Sequence, residues 1–218
     1  MKNNYLPFLA LILAVSACKK SSTTAPTTPD VYIDITAGIT KKYQTTNNLT
    51  AAVTTNTQTS TSRDSSINGK TYHVFTNSNG TANEYYNITG NDYYTFRSLG
   101  AALANLTVES IYLKDNAAVG TSWSQLVNVP VTGIPTGASV TLTNTIAEKG
   151  ISRTVSGIAY TNVIHITTTI AVAGLPASSI TTDIQSYYAA KAGLIEGKNK
   201  LILPLLTTNV DQVTILVP

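Results

Sequence analysis

Chemistry in this chain would have to come from a small set of side chains: two histidines, eleven carboxylates and a single cysteine among 218 residues. His73 and His165 are the only imidazoles, and no His, Asp or Glu grouping has the spacing of a metal site, so zinc chemistry of the usual kind lacks its ligands and no cofactor is expected. Gly120-Thr121-Ser122-Trp123-Ser124 begins like a nucleophile elbow but ends in Ser where a second Gly is needed, and no strand-to-helix pattern surrounds it. The carboxylates are scattered, whereas glycoside hydrolysis needs two facing each other across a cleft. Glu84 and Asp92, near the two ends of a tyrosine-rich segment, are the pair that could approach, and His165, on the more polar face of its strand, is the candidate base. What stands out instead is an aromatic set: Tyr72, Tyr85, Tyr86, Tyr93, Tyr94 and Trp123, with Tyr187 and Tyr188 further on. Flat rings with a polar tip suit stacking on sugars or walling an apolar pocket, and they also pair across strands simply to stabilise a sheet.

The amino terminus gives an address. Lys2 is followed by an apolar run from Tyr5 to Val15, broken only by Pro7, and by Ser16-Ala17-Cys18. A positive start, a short apolar stretch and small residues before a cut are the layout of a secretory signal, and the stretch falls short of the roughly 20 residues of a membrane span. Val15-Ser16-Ala17-Cys18 resembles the lipobox of bacterial lipoproteins. That resemblance implies cleavage after residue 17 and lipidation of Cys18, whose sulfur is then unavailable as a nucleophile. It also implies an anchor of two or more acyl chains, which durable membrane attachment requires. One thiol cannot build an internal disulfide framework in an oxidising compartment, which agrees. Residues 19–30 hold no large apolar side chain and two prolines, a composition that cannot offset its own ordering entropy. At about 3.1 Å per residue this tether reaches roughly 37 Å. In the lipoproteins it resembles, a second mature residue other than Asp favours the outer membrane, and Lys19 fits that, with the periplasmic and outer surfaces both open.

Removing residues 1–17 leaves 201, and a single domain from 31 to 218 is expected, large enough to fold without disulfides or metals. Charged residues make up 11 % and the net charge is +3, or +2 once Lys2 leaves with the signal, with no basic stripe, which excludes nucleic acid as a partner. Thr, Val, Ile, Ser, Asn and Tyr dominate, with 12 Tyr against 3 Phe and one Trp, and such side chains fit a pleated, half-buried surface. The fold class is therefore all-β, with at most one or two short helices. Strands are expected at 31–36, within the Thr- and Asn-rich 43–62, and on either side of Asn68-Gly69, the strongest short-range hairpin signal. After a turn at Asn79-Gly80, segments 83–89 and 92–97 form a hairpin about Gly90-Asn91 with tyrosines on both faces. A short helix is expected at Leu99–Leu106 and strands at 107–114, 122–131, 139–147, 152–160, 161–172, 183–191, 194–203 and 210–217. Strands at this spacing suggest an antiparallel, strongly curved sheet: a half-barrel, barrel or sandwich. Four Asn-x-Thr sequons, at Asn48, Asn79, Asn87 and Asn105, read as products of this composition.

Tyr187-Tyr188-Ala189-Ala190-Lys191-Ala192-Gly193-Leu194-Ile195-Glu196 resembles the YYAxGxGLI strand-turn-strand of uncharacterised β-rich lipoproteins of Gram-negative bacteria. Gly120-Thr121-Ser122-Trp123 and Gly69-Lys70-Thr71-Tyr72 are similar to the Gly-x-x-Trp and Gly-x-x-Tyr segments that accompany it there. The chain departs from the pattern in having Lys191 and Ala192 before the glycine. The resemblance implies a curved antiparallel sheet related to lipoprotein-carrier half-barrels, with no assigned activity. Two functions compete on these grounds. One is a non-enzymatic envelope lipoprotein that offers a concave face to an apolar ligand, a lipid or a protein partner. The other is a carbohydrate-associated surface module built on the tyrosine hairpin.

Overall fold

A computed structural model describes residues 30–98, 106–131, 134–202 and 209–218. The signal, the lipobox, the tether up to residue 29 and all but the last residue of the expected helix at 99–106 lie outside them. Twelve strands make one antiparallel sheet: β1 (Thr40–Asn47), β2 (Val53–Ile67), β3 (Lys70–Asn77), β4 (Glu84–Thr89), β5 (Asp92–Ser98), β6 (Thr107–Lys114), β7 (Ser122–Val131), β8 (Ile134–Val155), β9 (Ile158–Val172), β10 (Thr181–Ala189), β11 (Gly193–Ile202) and β12 (Val210–Val217). Each strand pairs with its sequence neighbours except at β6 and β7, which are the two edges, and β1 pairs with β12. The result is a nearly closed barrel, with one turn of 3₁₀ helix at Ala177–Ser179 as the helical element among the described residues.

The turns are where their chemistry puts them. Asn68 (φ 50°) and Gly69 (φ 76°) both occupy the left-handed region, as a two-residue hairpin turn demands. Gly137 (φ 68°) is required for another reason, since a Cβ there would stand 2.6 Å from the Val129 carbonyl oxygen.

Three expected strands are corrected. The segment 152–160 is the end of one strand and the start of the next, because Ser156 (φ 50°) and Gly157 (φ 80°) form a second tight turn inside it. The expected 139–147 is accordingly the middle of the much longer β8. The segment 31–36 is no strand. Its backbone makes isolated bonds, Tyr32 N–H donating to the Tyr93 hydroxyl (3.2 Å) and the Val31 carbonyl accepting from Lys191 N–H (2.6 Å), and consecutive Tyr32 and Ile33 are both buried, which alternation would forbid. It is a strap laid across one end of the barrel.

That end is plugged. Tyr32 and Ile33 of the strap pack with Phe75, Tyr93, Leu113, Ile146, Ile164, Ile166 and Tyr188 of the surrounding strands. A second apolar cluster (Val127, Val129, Val140, Val172 and Leu201) fills one side of the barrel toward the far end. Two long hairpins leave the ladder through irregular register and fold back over the outer wall, as bulged strands bend. The β2–β3 tip holds Glu109 on β6 by Lys70 Nζ (2.5 Å), the Tyr72 hydroxyl (2.5 Å) and Asn68 Nδ2 (2.9 Å). The β8–β9 tip holds Glu196 on β11 by both arms of Arg153 (2.6 and 2.8 Å), whose guanidinium lies 3.5 Å from the Tyr187 ring centre. Beneath it Val155, Val163, Tyr187, Ala189 and Ile195 form a third cluster. Elsewhere the outer wall carries hydroxyl pairs such as Ser122–Thr145 (2.7 Å) and Ser124–Thr143 (2.8 Å), where a lipid-facing barrel carries an apolar band.

No backbone ladder joins β6 to β7. Side chains bridge them instead: Trp123 Nε1 (2.8 Å) and Asn144 Nδ2 (3.1 Å) both donate to the Ile111 carbonyl, and Gln125 Nε2 donates to the Glu109 carbonyl. These bonds satisfy carbonyls that an open edge would leave bare.

Truncating Ile164, fully buried in the plug, should cost about 2–5 kcal/mol in urea denaturation, whereas Leu126→Ala on the open outer face should stay within about 0.5 kcal/mol of wild type.

Candidate functional site

Strand alternation sends Tyr93, Thr95 and Arg97 of β5 inward, opposite Ile88, Tyr86 and the Glu84 end of β4, while Tyr85, Tyr94 and Phe96 point out. The tyrosine hairpin therefore has two unlike faces. Outside, Tyr85 and Phe96 meet edge to face at 5.9 Å, and Tyr94 lies under the Lys70 ammonium at 4.5 Å. Inside, Tyr86 and Tyr93 each approach Tyr112 of β6 (5.9 and 6.1 Å), and Tyr112 reaches across the bore to Tyr188 of β10 (5.2 Å). Tyr43 of β1 donates its hydroxyl to the Leu194 carbonyl (3.2 Å) from the same interior. These rings form a floor over the plug.

The structure does not bring the six candidate rings together on one surface. Tyr72 is fully buried with its hydroxyl on Glu109, Tyr93 is buried with its hydroxyl on Asp115 (2.9 Å), and Trp123 closes the seam. Glu84 and Asp92 sit at opposite ends of their hairpin, Glu84 beside Arg97 and Asp92 bound to Lys114 (2.8 Å). His165 is enclosed by Glu148 (2.9 Å), Gln185 (3.2 Å) and the stacked ring of Tyr187 (4.2 Å), an arrangement that holds the imidazole in place.

The interior group that sequence reasoning missed is Arg97. Its charge interacts with Glu84, Tyr86, Tyr112 and Tyr188, groups on three strands from both sides of the bore. Half of its side-chain surface is nevertheless open (50 %). Burial alone would depress its pKa, but Glu84 and the surrounding phenols outweigh it and the net shift is upward, so the guanidinium stays charged. Glu84 lies 4.0 Å away, beyond hydrogen-bond reach, and its oxygens already accept from Tyr86 (2.7 Å) and Asn77 (3.5 Å). Burial raises Tyr43, Tyr86, Tyr112 and Tyr188, so these phenols remain protonated at any physiological pH. Two residues from Arg97 on the same face, the Thr95 hydroxyl is buried without a hydrogen-bond partner.

A second grouping looks like chemistry and is better explained as a clasp. Ser60 Oγ lies 2.9 Å from His73 Nε2, and His73 Nδ1 lies 3.0 Å from Asp64, the distances of a Ser-His-Asp triad. Yet Ser60 is 1 % exposed, its hydroxyl donates to the Ile35 carbonyl (3.0 Å), and its backbone bonds Gly38 and Ile39 in both directions. The proton that a nucleophile must surrender is fastening the strap. Lys41 lies under the same strap, 7 % exposed, with Nζ 3.0 Å from where a Cβ on Gly193 would stand. Burial lowers its pKa from 10.5 to about 8, against a smaller opposing pull from Asp34. Among the described residues no three His, Cys, Asp or Glu side chains gather as a metal site would require.

No protein-family model and no curated protein matches the chain. Two solved structures are similar to it. One is a "putative lipoprotein" from Parabacteroides distasonis, at 10 % identity over 86 % of this chain and 97 % of that one, with a TM-score of 0.48. The other is a "putative exported protein with YmcC-like fold" from Bacteroides fragilis, at 9 % identity over 86 % and 98 %, with a TM-score of 0.43.

Ser60→Ala leaves the Ile35 carbonyl and His73 short of a partner and should cost about 1–3 kcal/mol, and an activity-based fluorophosphonate should fail to label wild-type Ser60. For Lys41, the unfolded chain holds its proton to about 10.5 and the folded chain only to about 8, so stability should rise with pH between those values. Lys41→Met should therefore be more stable than wild type at pH 7 by on the order of 3 kcal/mol. Thermal melts of both proteins at pH 7 to 9.5, below the range where buried tyrosines act in the opposite sense, should show this gap closing.

Proposed function

We propose that this chain is a membrane-anchored lipoprotein of the bacterial envelope that binds a ligand rather than converting one, and that the ligand is an amphiphile received inside the barrel. The observation that carries the reading is Arg97, half open, on the inward face of the sheet among Tyr86, Tyr112 and Tyr188. A barrel of twelve strands lies between the eight that side chains alone can fill and the sixteen or more that leave an aqueous channel, so an interior compartment is what its size favours. Aromatic rings on one side of that compartment and aliphatic side chains on the other suit the apolar body of a ligand, while the phenols and one cation suit its polar end. The lipobox resemblance supports anchorage through Cys18, and Lys19 supports the outer membrane as the destination. The glycan reading has less support, because Tyr72 and Tyr93 are buried and Tyr94 is covered by Lys70.

Native mass spectrometry of protein released from membranes in mild detergent should show a bound species of a few hundred daltons that dissociates on collisional activation. An apo spectrum, together with failure to take up a fluorescent fatty acid, would defeat the binding reading. Anchorage is checked separately: wild type should partition into the detergent phase and Cys18→Ala into the aqueous phase.

A further inference from the structure

Exposed aliphatic side chains are common singly on protein surfaces, so it is their distribution that carries information. Among the described residues eight large apolar side chains are exposed, and three stand apart: Leu49 and Val53 at the β1–β2 turn and Leu126 on the outer wall. The other five gather about the plugged end. Val31 and Ile35 are outward side chains of the strap whose Tyr32 and Ile33 face in, and Ile39 follows where its carbonyl accepts from Ser60 N–H (2.9 Å). Val119, 59 % exposed, lies in the β6–β7 connection, which Gly120 N–H fastens to the Ile146 carbonyl of the plug (2.8 Å). Ile158 flanks them on the β8–β9 tip, which Ser156 Oγ ties to the Leu216 carbonyl near the end of β12 (2.8 Å). The plug is complete without any of the five, so the fold alone does not call for them.

Resting on the reading of the chain as a lipoprotein held at Cys18, we propose that the plugged end docks on the bilayer surface. Val31, Ile35, Ile39 and Val119 then enter the boundary between head groups and acyl chains. The occupant follows from where the chain enters. Asp30 is fixed at this end by Asn162 (2.5 Å), and twelve residue steps separate it from Cys18. A coil of that length has a root-mean-square span of about 20 Å. The wall is no shorter, since Val53 lies six residues along β2 from Thr59, the partner of Thr40, at about 3.4 Å per residue. A leash of this span brings the plugged end to the lipid ahead of the opposite one, and it makes the contact intramolecular, so a weak contact is enough. Charge at this end comes in both signs: Asp30, Asp34 and Asp115 stand with Lys149, which donates to the Asp115 carbonyl, and with Lys191, which donates its backbone N–H to Val31. Attraction to anionic lipid therefore contributes little, and the apolar side chains carry the contact.

The test places the full lipidated chain in phosphatidylcholine vesicles, with one free thiol introduced by Val119→Cys, Ile35→Cys or Val53→Cys and labelled with a fluorophore. All three positions are exposed, so the labels leave the core intact. Nitroxide on the lipid head groups should quench the labels at 119 and 35 by more than half and leave the label at 53 bright. Added phosphatidylglycerol or raised salt should change neither result, and quenching that salt abolishes would overturn the apolar basis of the contact. Ile35→Asp should lower quenching at 119 at least twofold while the protein stays on the vesicles with an unchanged melting temperature. Equal quenching at all three sites, or none at any while the protein floats with the vesicles, would overturn the docking and leave the anchor standing. Loss of the protein from the vesicles would remove the anchor and the docking with it. Labels at 119 and 35 that stay bright in vesicles, yet are shielded from iodide in native envelope membranes, would assign the face to a protein and overturn the lipid occupant.

Discussion

Twelve strands enclose more room than aliphatic side chains can fill, and most of the structure follows from how that room is used. The end nearest the strap is filled outright, by Tyr32 and Ile33 brought in from outside the sheet and by Ile146, Ile164 and Ile166 from within it. One side of the far end is filled by valines and leucines. What lies between is spanned by tyrosines, the side chains long enough to meet across the bore, as Tyr112 and Tyr188 do. A ring that must cross a wide interior gains from a hydroxyl that finds a partner at its end, as Tyr43 finds the Leu194 carbonyl and Tyr86 finds Glu84. The same geometry leaves Arg97 inside with part of its surface open.

The outer wall solves a second problem with a repeated device. Bulges in β2 and β8 let two hairpins turn out of the ladder, and each tip lays a cation on a tyrosine and a glutamate: Lys70 on Tyr94 and Glu109, Arg153 on Tyr187 and Glu196. The two halves of the barrel thus carry equivalent straps on their outsides. No sequence repeat announces this, because the device depends on charge and ring positions rather than on a shared motif.

Much of the sheet was legible from local chemistry. The Asn68-Gly69 and Gly90-Asn91 turns, the bounds of β6 and β7, and the opposite-facing tyrosines of β4 and β5 follow from turn residues and period-two alternation alone. Where a rule failed, a second rule was competing with it. Val31, Ile33 and Ile35 alternate in the sequence, but the segment spends its backbone on isolated bonds to Tyr93 and Lys191 instead of a ladder. The run 152–160 keeps its β character on both sides of Ser156-Gly157, a turn dipeptide whose two positive φ values break it into two strands. The Ser60–His73–Asp64 cluster needs the register shift between Ser60 and Asp64, which nothing in the spacing encodes. Arg97 was invisible for a simpler reason: a charged residue near a strand end reads as the wet end of the strand, and only closure of the sheet turns that end into an interior.

The strap fixes more than the plug. Asp30 binds Asn162 (2.5 Å) and Val31 binds Lys191, so the polypeptide enters the barrel through its stoppered end, and Val217 of β12 finishes there too. Asp30 and Val217 thus lie together at the end of the barrel that Tyr32 and Ile33 close, while Arg97 and Val108 stand toward the other end, so whatever joins the barrel at Asp30 does so on the side away from Arg97.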